Sequence, residues 1–143
     1  MRPPLTPALF MFSPDGGRYV AAVRVDGQFI GPTSLYPGAT SSTGGPFTIP
    51  AKAGDTLELY GSGFGPTNPT TNFAQTFTGA PVTTNAVTAT IGGVAANVSF
   101  AGLVAPGEYQ FNIVVPNVPA GDNPVVLKVN GLTTQASAYL TVE

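Results

Sequence analysis

The stretch Leu57-Glu-Leu-Tyr-Gly-Ser-Gly-Phe-Gly-Pro-Thr-Asn-Pro69 constrains the fold more than any other part of this 143-residue chain. Asp55 to Tyr60 reads as a half-buried strand with Leu57 and Leu59 inward. That strand runs into Gly61, Gly63 and Gly65, and two prolines follow. Glycine reaches φ > 0 at no steric cost, so the spacing predicts a sharp turn that other residues would make only under strain. Phe64 is the single large side chain among these small ones. It is expected to fold back as the plug that fixes the turn.

The rest of the chain repeats this pattern of short strand and tight turn. Residues 1–7 form a Pro-rich lead, and Leu9 to Phe12 a short apolar strand ended by Ser-Pro-Asp-Gly-Gly17. From Arg18 to Val25 the residues alternate, and Tyr19, Ala21, Val23 and Val25 make the better core face on hydrophobicity. Asp26-Gly27 turns the chain toward Phe29 and Ile30 as in a hairpin. Residues 31–46 carry no charge and read as a loop anchored by Leu35 and Tyr36, before a brief edge strand over 47–49. Residues 66–85 form a second long loop holding Phe73 and Phe77. A loop of that length is functional or packed down by its own aromatics.

The clearest hairpin follows. Val87, Ala89 and Ile91 share a face, Gly92-Gly93 supplies a two-residue turn, and Val94, Ala96, Val98 and Phe100 return. Tyr109, Phe111, Ile113 and Val115 form the next inward row. A turn over 117–122 leads to Val125, Leu127 and Val129, Asn130-Gly131 turns again, and Ala136, Ala138, Leu140 and Val142 face inward on the last strand. Seven to nine short strands without helical periodicity predict an all-β, antiparallel sandwich or barrel with no helix longer than a turn. By length it is one domain, residues 1–143.

Composition removes several classes of function. There is no cysteine and no histidine, so disulfides, thiolate metal sites and the commonest general base are excluded. Only 8% of residues are charged and the formal net charge is −2. Five scattered basic residues cannot build a phosphate-tracking stripe, so nucleic acid is not an expected partner. No apolar run reaches the roughly 18 residues of a membrane span. Met-Arg-Pro-Pro is not followed by the apolar core of a signal peptide. The lysine-poor, Thr/Asn-rich composition nevertheless resembles that of exported β-proteins, and we expect a piece of a longer protein that is secreted or displayed on the cell surface.

Each residue that could carry chemistry has a plainer reading. Asp55 and Glu58 lie three apart on a strand and point to opposite faces. Neither Lys52 nor Lys128 has a serine in a recognisable motif, so no catalytic residues are assigned and an enzyme is not expected. Asp15, Asp26 and Asp122 sit in separate turns, where Asx-turn chemistry explains each without calcium. The glycines around Phe64 precede neither Lys-Ser/Thr nor a helix, so they are not a phosphate loop. Lys128 alternates outward from Leu127 and Val129, which argues against an isopeptide cross-link. No cofactor is implied. Four aromatics, Tyr36, Tyr60, Phe73 and Phe77, lie in or beside the long loops. They either seal the ends of the sandwich or form a stacking platform for a glycan. Gln110 and Asn112, opposite in face to Tyr109 and Phe111, are solvated amides or the lining of a docking groove. Few charges guard the strand edges, so weak self-association through an edge is a further expectation.

Gly61-Ser-Gly-Phe-Gly65, Thr90-Ile-Gly-Gly-Val94 and Pro119-Ala-Gly121 before a Val-rich strand resemble the IPT/TIG immunoglobulin-like domains. The whole chain is similar to an uncharacterised C-terminal domain family of secreted acidobacterial (Solibacter-type) proteins. That likeness is carried by Pro7-Ala-Leu-Phe10, Gln28 after Asp26-Gly27, the 59–69 stretch, Ile91-Gly-Gly-Val-Ala-Ala96, Phe100-Ala-Gly102, Tyr109-Gln-Phe-Asn112 and Val115-Pro116. The resemblance implies an Ig-like β-sandwich ending an exported multidomain protein, with residues 1–50 packed on an IPT/TIG-like core over 51–143. It implies a non-enzymatic module for attachment, domain spacing or protein–protein interaction, its partners being other domains of the parent or surface proteins and glycans. The alternative is a carbohydrate-binding module using the loop aromatics. The uncharged insert near 37–45 is longer than the family pattern.

Overall fold

The computed structural model describes residues 7–12, 17–41, 44–64, 67–68, 82–83, 87–105, 108–129, 131–135 and 137–143. Among these the chain is all-β, with no α-helix. The strands are β1 (Ala8–Leu9), β2 (Ala22–Arg24), β3 (Phe29–Ile30), β4 (Thr48–Ile49), β5 (Thr56–Ser62), β6 (Thr67–Asn68) and β7 (Val82–Thr83). They continue as β8 (Val87–Ile91), β9 (Val94–Ala96), β10 (Val98–Ala105), β11 (Glu108–Val114), β12 (Gly121–Val129), β13 (Leu132–Thr133) and β14 (Tyr139–Val142). These fourteen segments exceed the expected seven to nine because many pieces hold only two or three residues.

Two sheets face each other. The larger runs β4-β3-β2-β5-β11-β10-β7-β6 with β1 also on β5; the smaller runs β13-β12-β8-β9 with β14 also on β12. Leu57 and Leu59 of β5 and Phe111 and Ile113 of β11 are fully buried in one cluster with Ile91, Val125, Leu127, Leu140 and Val142 of the smaller sheet. Strict alternation along β5 and β11 puts these side chains on one face, as the period-2 pattern requires.

The Gly92-Gly93 turn is as anticipated. Ile91 pairs with Val94, and both glycines have positive φ, 60° and 80°, the conformation that matches strand twist. Val94 itself is 41% exposed rather than inward, because β9 is the outer strand of its sheet.

Three expectations are corrected. In 18–25 the core residues are Val20 and Ala22 together with Tyr19, whereas Val25 is 57% exposed. Both arginines keep to the rim while the small residues between them enter the core. Arg18 reaches Asp122 and Arg24 reaches Asp26, so the more hydrophobic set is not the inward one. Secondly, the pairing is not wholly antiparallel, since β3 and β4 run parallel. Parallel neighbours need a long crossover, and the uncharged segment 31–47 supplies it. Thirdly, that segment has more anchors than Leu35 and Tyr36. Thr48 Oγ1 donates to the Pro32 carbonyl at 2.6 Å, and Gln28 Nε2 donates to the carbonyls of Phe29 and Phe47, each at 3.0 Å.

The described segments that precede residue 31, β1, β2 and β3 among them, are woven into the sandwich. β1 and β2 both pair with β5. The Gln135 side chain accepts from Leu9 N at 2.9 Å and donates to Leu9 O at 2.7 Å. Arg18 and Val20 exchange backbone hydrogen bonds with Tyr139. Leu9, Val20, Ala22 and Ile30 belong to the same core cluster as the later strands.

Candidate interaction surfaces

The glycine-rich end of β5 is a structural device. Gly63 has φ of 79°, so the turn needs a residue without Cβ there. Gly61 acts differently from the expectation of a left-handed conformation. A Cβ on it would collide with the Ala8 carbonyl oxygen and stand 3.0 Å from the Phe64 ring. Its bare backbone lets β1 and Phe64 close on it. Phe64 is completely buried, with ring centroids 4.5 Å from Phe111 and 5.7 Å from Tyr109. The plug is real. Gly65, Phe73 and Phe77 lie outside the described residues, as do Asp15 and Ala136.

Tyr60 points away from the core. Its hydroxyl donates to Glu58 at 3.1 Å. Burial first, then the Glu58 acceptor and the charges of Glu58 and Glu108, push the phenol up to about 12. On β11 the Gln110 amide donates to Asn112 Oδ1 at 2.8 Å. Register sets these residues in rows, Gln110 opposite Tyr60 and Asn112 opposite Glu58. The second row continues to Phe100 on β10 and Val23 on β2. Directly opposed residues share a face, so the outer side of the large sheet carries a mixed polar and aromatic grid. All six are half-buried. Gln110 and Asn112 thus bind each other and form part of a surface, which alternation alone could not disclose.

Tyr36 is elsewhere. Its ring meets Phe12 edge-on at 5.7 Å and Phe47 at 5.1 Å, and Phe47 stacks on Phe29 at 4.8 Å with planes 16° apart. It therefore packs into a cluster instead of lying flat with Tyr60, and no ring contact joins the two. Beside this cluster, Phe29 and Phe47 line a groove of about 360 Å³ with Arg24, Asp26, Gln28 and Thr40.

The acidic groups are held by neighbours within the chain. Asp26 accepts two hydrogen bonds from Arg24, at 2.9 and 2.8 Å. Those bonds and the Gln28 N–H keep its carboxyl below the usual range. Asp55 caps a turn by accepting from Lys52 N at 2.9 Å. Among the described residues no three acidic side chains gather to hold an ion. Asp122 accepts from Tyr19 at 2.8 Å, Arg18 at 3.2 Å and Thr141 at 2.9 Å, while the Arg18 guanidinium lies 4.1 Å over the Tyr139 ring.

This network ties segments about a hundred residues apart, and nothing in the local sequence announces it. Burial pushes the Asp122 carboxyl up, but the hydrogen bonds from Tyr19, Thr141 and Arg18 outweigh it, so the net direction is down. A carboxylate depressed in the folded state stabilises above its unfolded value of about 3.9, and that stability is lost as pH falls through the lower folded value. Asp122→Asn should therefore lose about 1–2 kcal/mol at neutral pH, allowing for solvent screening. Its deficit against the parent should shrink below about pH 4. Denaturant titrations at the two pH values check this; a deficit independent of pH would contradict it.

Two facing sheets, the Gly-Phe-Gly corner and the glycine hairpin make a pattern that the sequence comparison resolves: residues 33–143 match the IPT/TIG domain family. The chain belongs to the IPT/TIG family. Its sandwich is accordingly of the immunoglobulin-like type, and IPT/TIG domains are generally non-catalytic modules that mediate protein–protein interactions. No curated protein and no solved structure matched the chain. Among the described residues no helix is long and apolar enough to cross a membrane. The IPT/TIG match begins after β3, so β1, β2 and β3 precede it while pairing inside the sandwich.

Proposed function

We propose that this chain is a non-enzymatic IPT/TIG module ending a secreted or cell-surface bacterial protein of the acidobacterial C-terminal-domain type. In it, residues 1–143 act as one unit that docks other domains of the parent or a surface protein. The exported character of the composition supports the location. The observation that carries the function is the outer grid of β5 and β11, where Glu58 and Asn112 stand in register between Val23 and Phe100, with Tyr60 and Gln110 as the neighbouring row. Polar groups already paired with each other, beside an aromatic ring, suit a protein interface because little side-chain freedom is lost on contact. Self-association through the uncharged edge strand β9 is a weaker use of the same economy of charge.

Hydroxyl-radical footprinting of the parent protein and of the free domain tests the docking reading. Tyr60 and Phe100 should be protected from oxidation in the parent, while Leu132 and Val94 on the smaller sheet react equally in both. Equal oxidation of Tyr60 and Phe100 in both samples would exclude this face as the interface.

A further inference from the structure

We propose that the groove between the β2–β3 turn and Thr40, Ser41 and Phe47 is a binding site for a neutral saccharide. It shares no residue with the outer grid of β5 and β11, so the inference stands apart from the docking reading.

The floor of the groove is aromatic. Phe29 and Phe47 stack nearly parallel, both half-buried, so ring surface remains at the opening. Tyr36 and Phe12 brace the pair from the side by edge contacts. Their rings are held in place before any ligand arrives. The C–H face of a pyranose ring is apolar, and a fixed aromatic surface is its natural complement.

The rim is planar and polar. Arg24 and Asp26 form a two-pronged pair, which offers both N–H donors and carboxylate acceptors in one rigid assembly. The Gln28 amide nitrogen is spent on the carbonyls of Phe29 and Phe47, which orients its oxygen as a fixed acceptor. Thr40 adds an exposed hydroxyl. Groups that both donate and accept match sugar hydroxyls, which do the same. One guanidinium and one carboxylate leave the rim without net charge, which favours a neutral ligand over a phosphorylated or acidic one.

Size agrees as well. A groove of about 360 Å³ lies at the small end of ligand sites, roughly 300–1,000 Å³. It would hold a short stretch of a chain that continues into solvent. Because the rim side chains already hold each other, binding costs little rotamer freedom. The loop platform expected from Tyr36 is replaced by a groove in which Tyr36 is a brace and Phe29 and Phe47 are the contact surface.

The test is an amide NMR titration of the full chain with soluble oligosaccharides of glucose, xylose and mannose, and in parallel with a proline-rich peptide. At least one oligosaccharide should shift the amides of Gly27, Gln28, Phe29, Thr40 and Phe47 in a saturable manner at millimolar concentration. Phe47→Leu keeps apolar volume but removes the aromatic face, and should weaken that binding about tenfold or more. Arg24→Gln, on an exposed pair, should weaken it with the fold unchanged. Absence of shifts with every oligosaccharide would overturn the proposal. So would a response of these amides to the peptide alone, or a Phe47→Leu variant that folds and binds as tightly as the parent.

Discussion

A chain beginning at residue 33, holding all of the IPT/TIG match, will not unfold cooperatively. Removing residues 1–32 strips β1 and β2 from one side of β5 and β3 from β4. It also removes Leu9, Val20 and Ile30, each at most 3% exposed, from the shared core. At about 1.5–3 kcal/mol for each large side chain, that loss is comparable with the whole 5–15 kcal/mol stability of a typical domain. The newly bare edge of β5 is also a template for aggregation. The shortened chain should bind a hydrophobic dye and show no sharp urea transition, whereas the full chain shows one. A sharp transition at the parent's midpoint would mean that residues 1–32 are an appendage, and the reading of 1–143 as one unit would fail.

Phe64→Ala comes next in size. The ring is fully buried against Phe111 and Tyr109 and also against the bare backbone of Gly61. Two rigid neighbours and a backbone cannot collapse into the space it leaves. The expected loss is therefore about 3–5 kcal/mol, from lost transfer energy plus a cavity. Phe10→Ala, at a ring 41% exposed, should change stability by no more than about 0.5 kcal/mol. Urea midpoints at constant slope measure both. A loss below about 1 kcal/mol for Phe64→Ala would refute its role as the plug of the corner.

Much of the fold was readable because β-structure writes a period of two wherever one face is buried. Leu57 and Leu59, the row Tyr109, Phe111, Ile113 and Val115, and Val125, Leu127 and Val129 lie inward as the alternation predicts. Turn chemistry was legible for the same local reason, since Gly63, Gly92 and Gly93 occupy conformations that favour glycine. Reading failed at 18–25, where both faces carry apolar residues and the choice between them depends on where two arginines find acids. It failed again at Gly61, whose requirement comes from a strand fifty residues earlier.

The candidate surfaces were less legible than the fold. Tyr60 and Tyr36 stand in the sequence as aromatics near loops, and nothing local distinguishes the one that joins a sheet-face grid from the one that joins a ring cluster. Phe29 and Phe47, read as strand residues, line the groove because β3 and β4 lie side by side. Gln135, which clamps Leu9, and Asn123, buried against the carbonyls of Pro119 and Gly121, carry no signal in a single sequence.

Local alternation and glycine placement were enough to specify strands, corners and the two-layer class, because those depend on backbone sterics and on which side chains avoid water. Which of two apolar faces turns inward, how β1, β2 and β3 enter the sheet, and which distant aromatics meet at one groove depend on partners far apart in the chain. Those choices are made only when distant segments come together, since only then do Arg18, the Gln135 clamp and the stacked Phe29 and Phe47 rings have anything to bind.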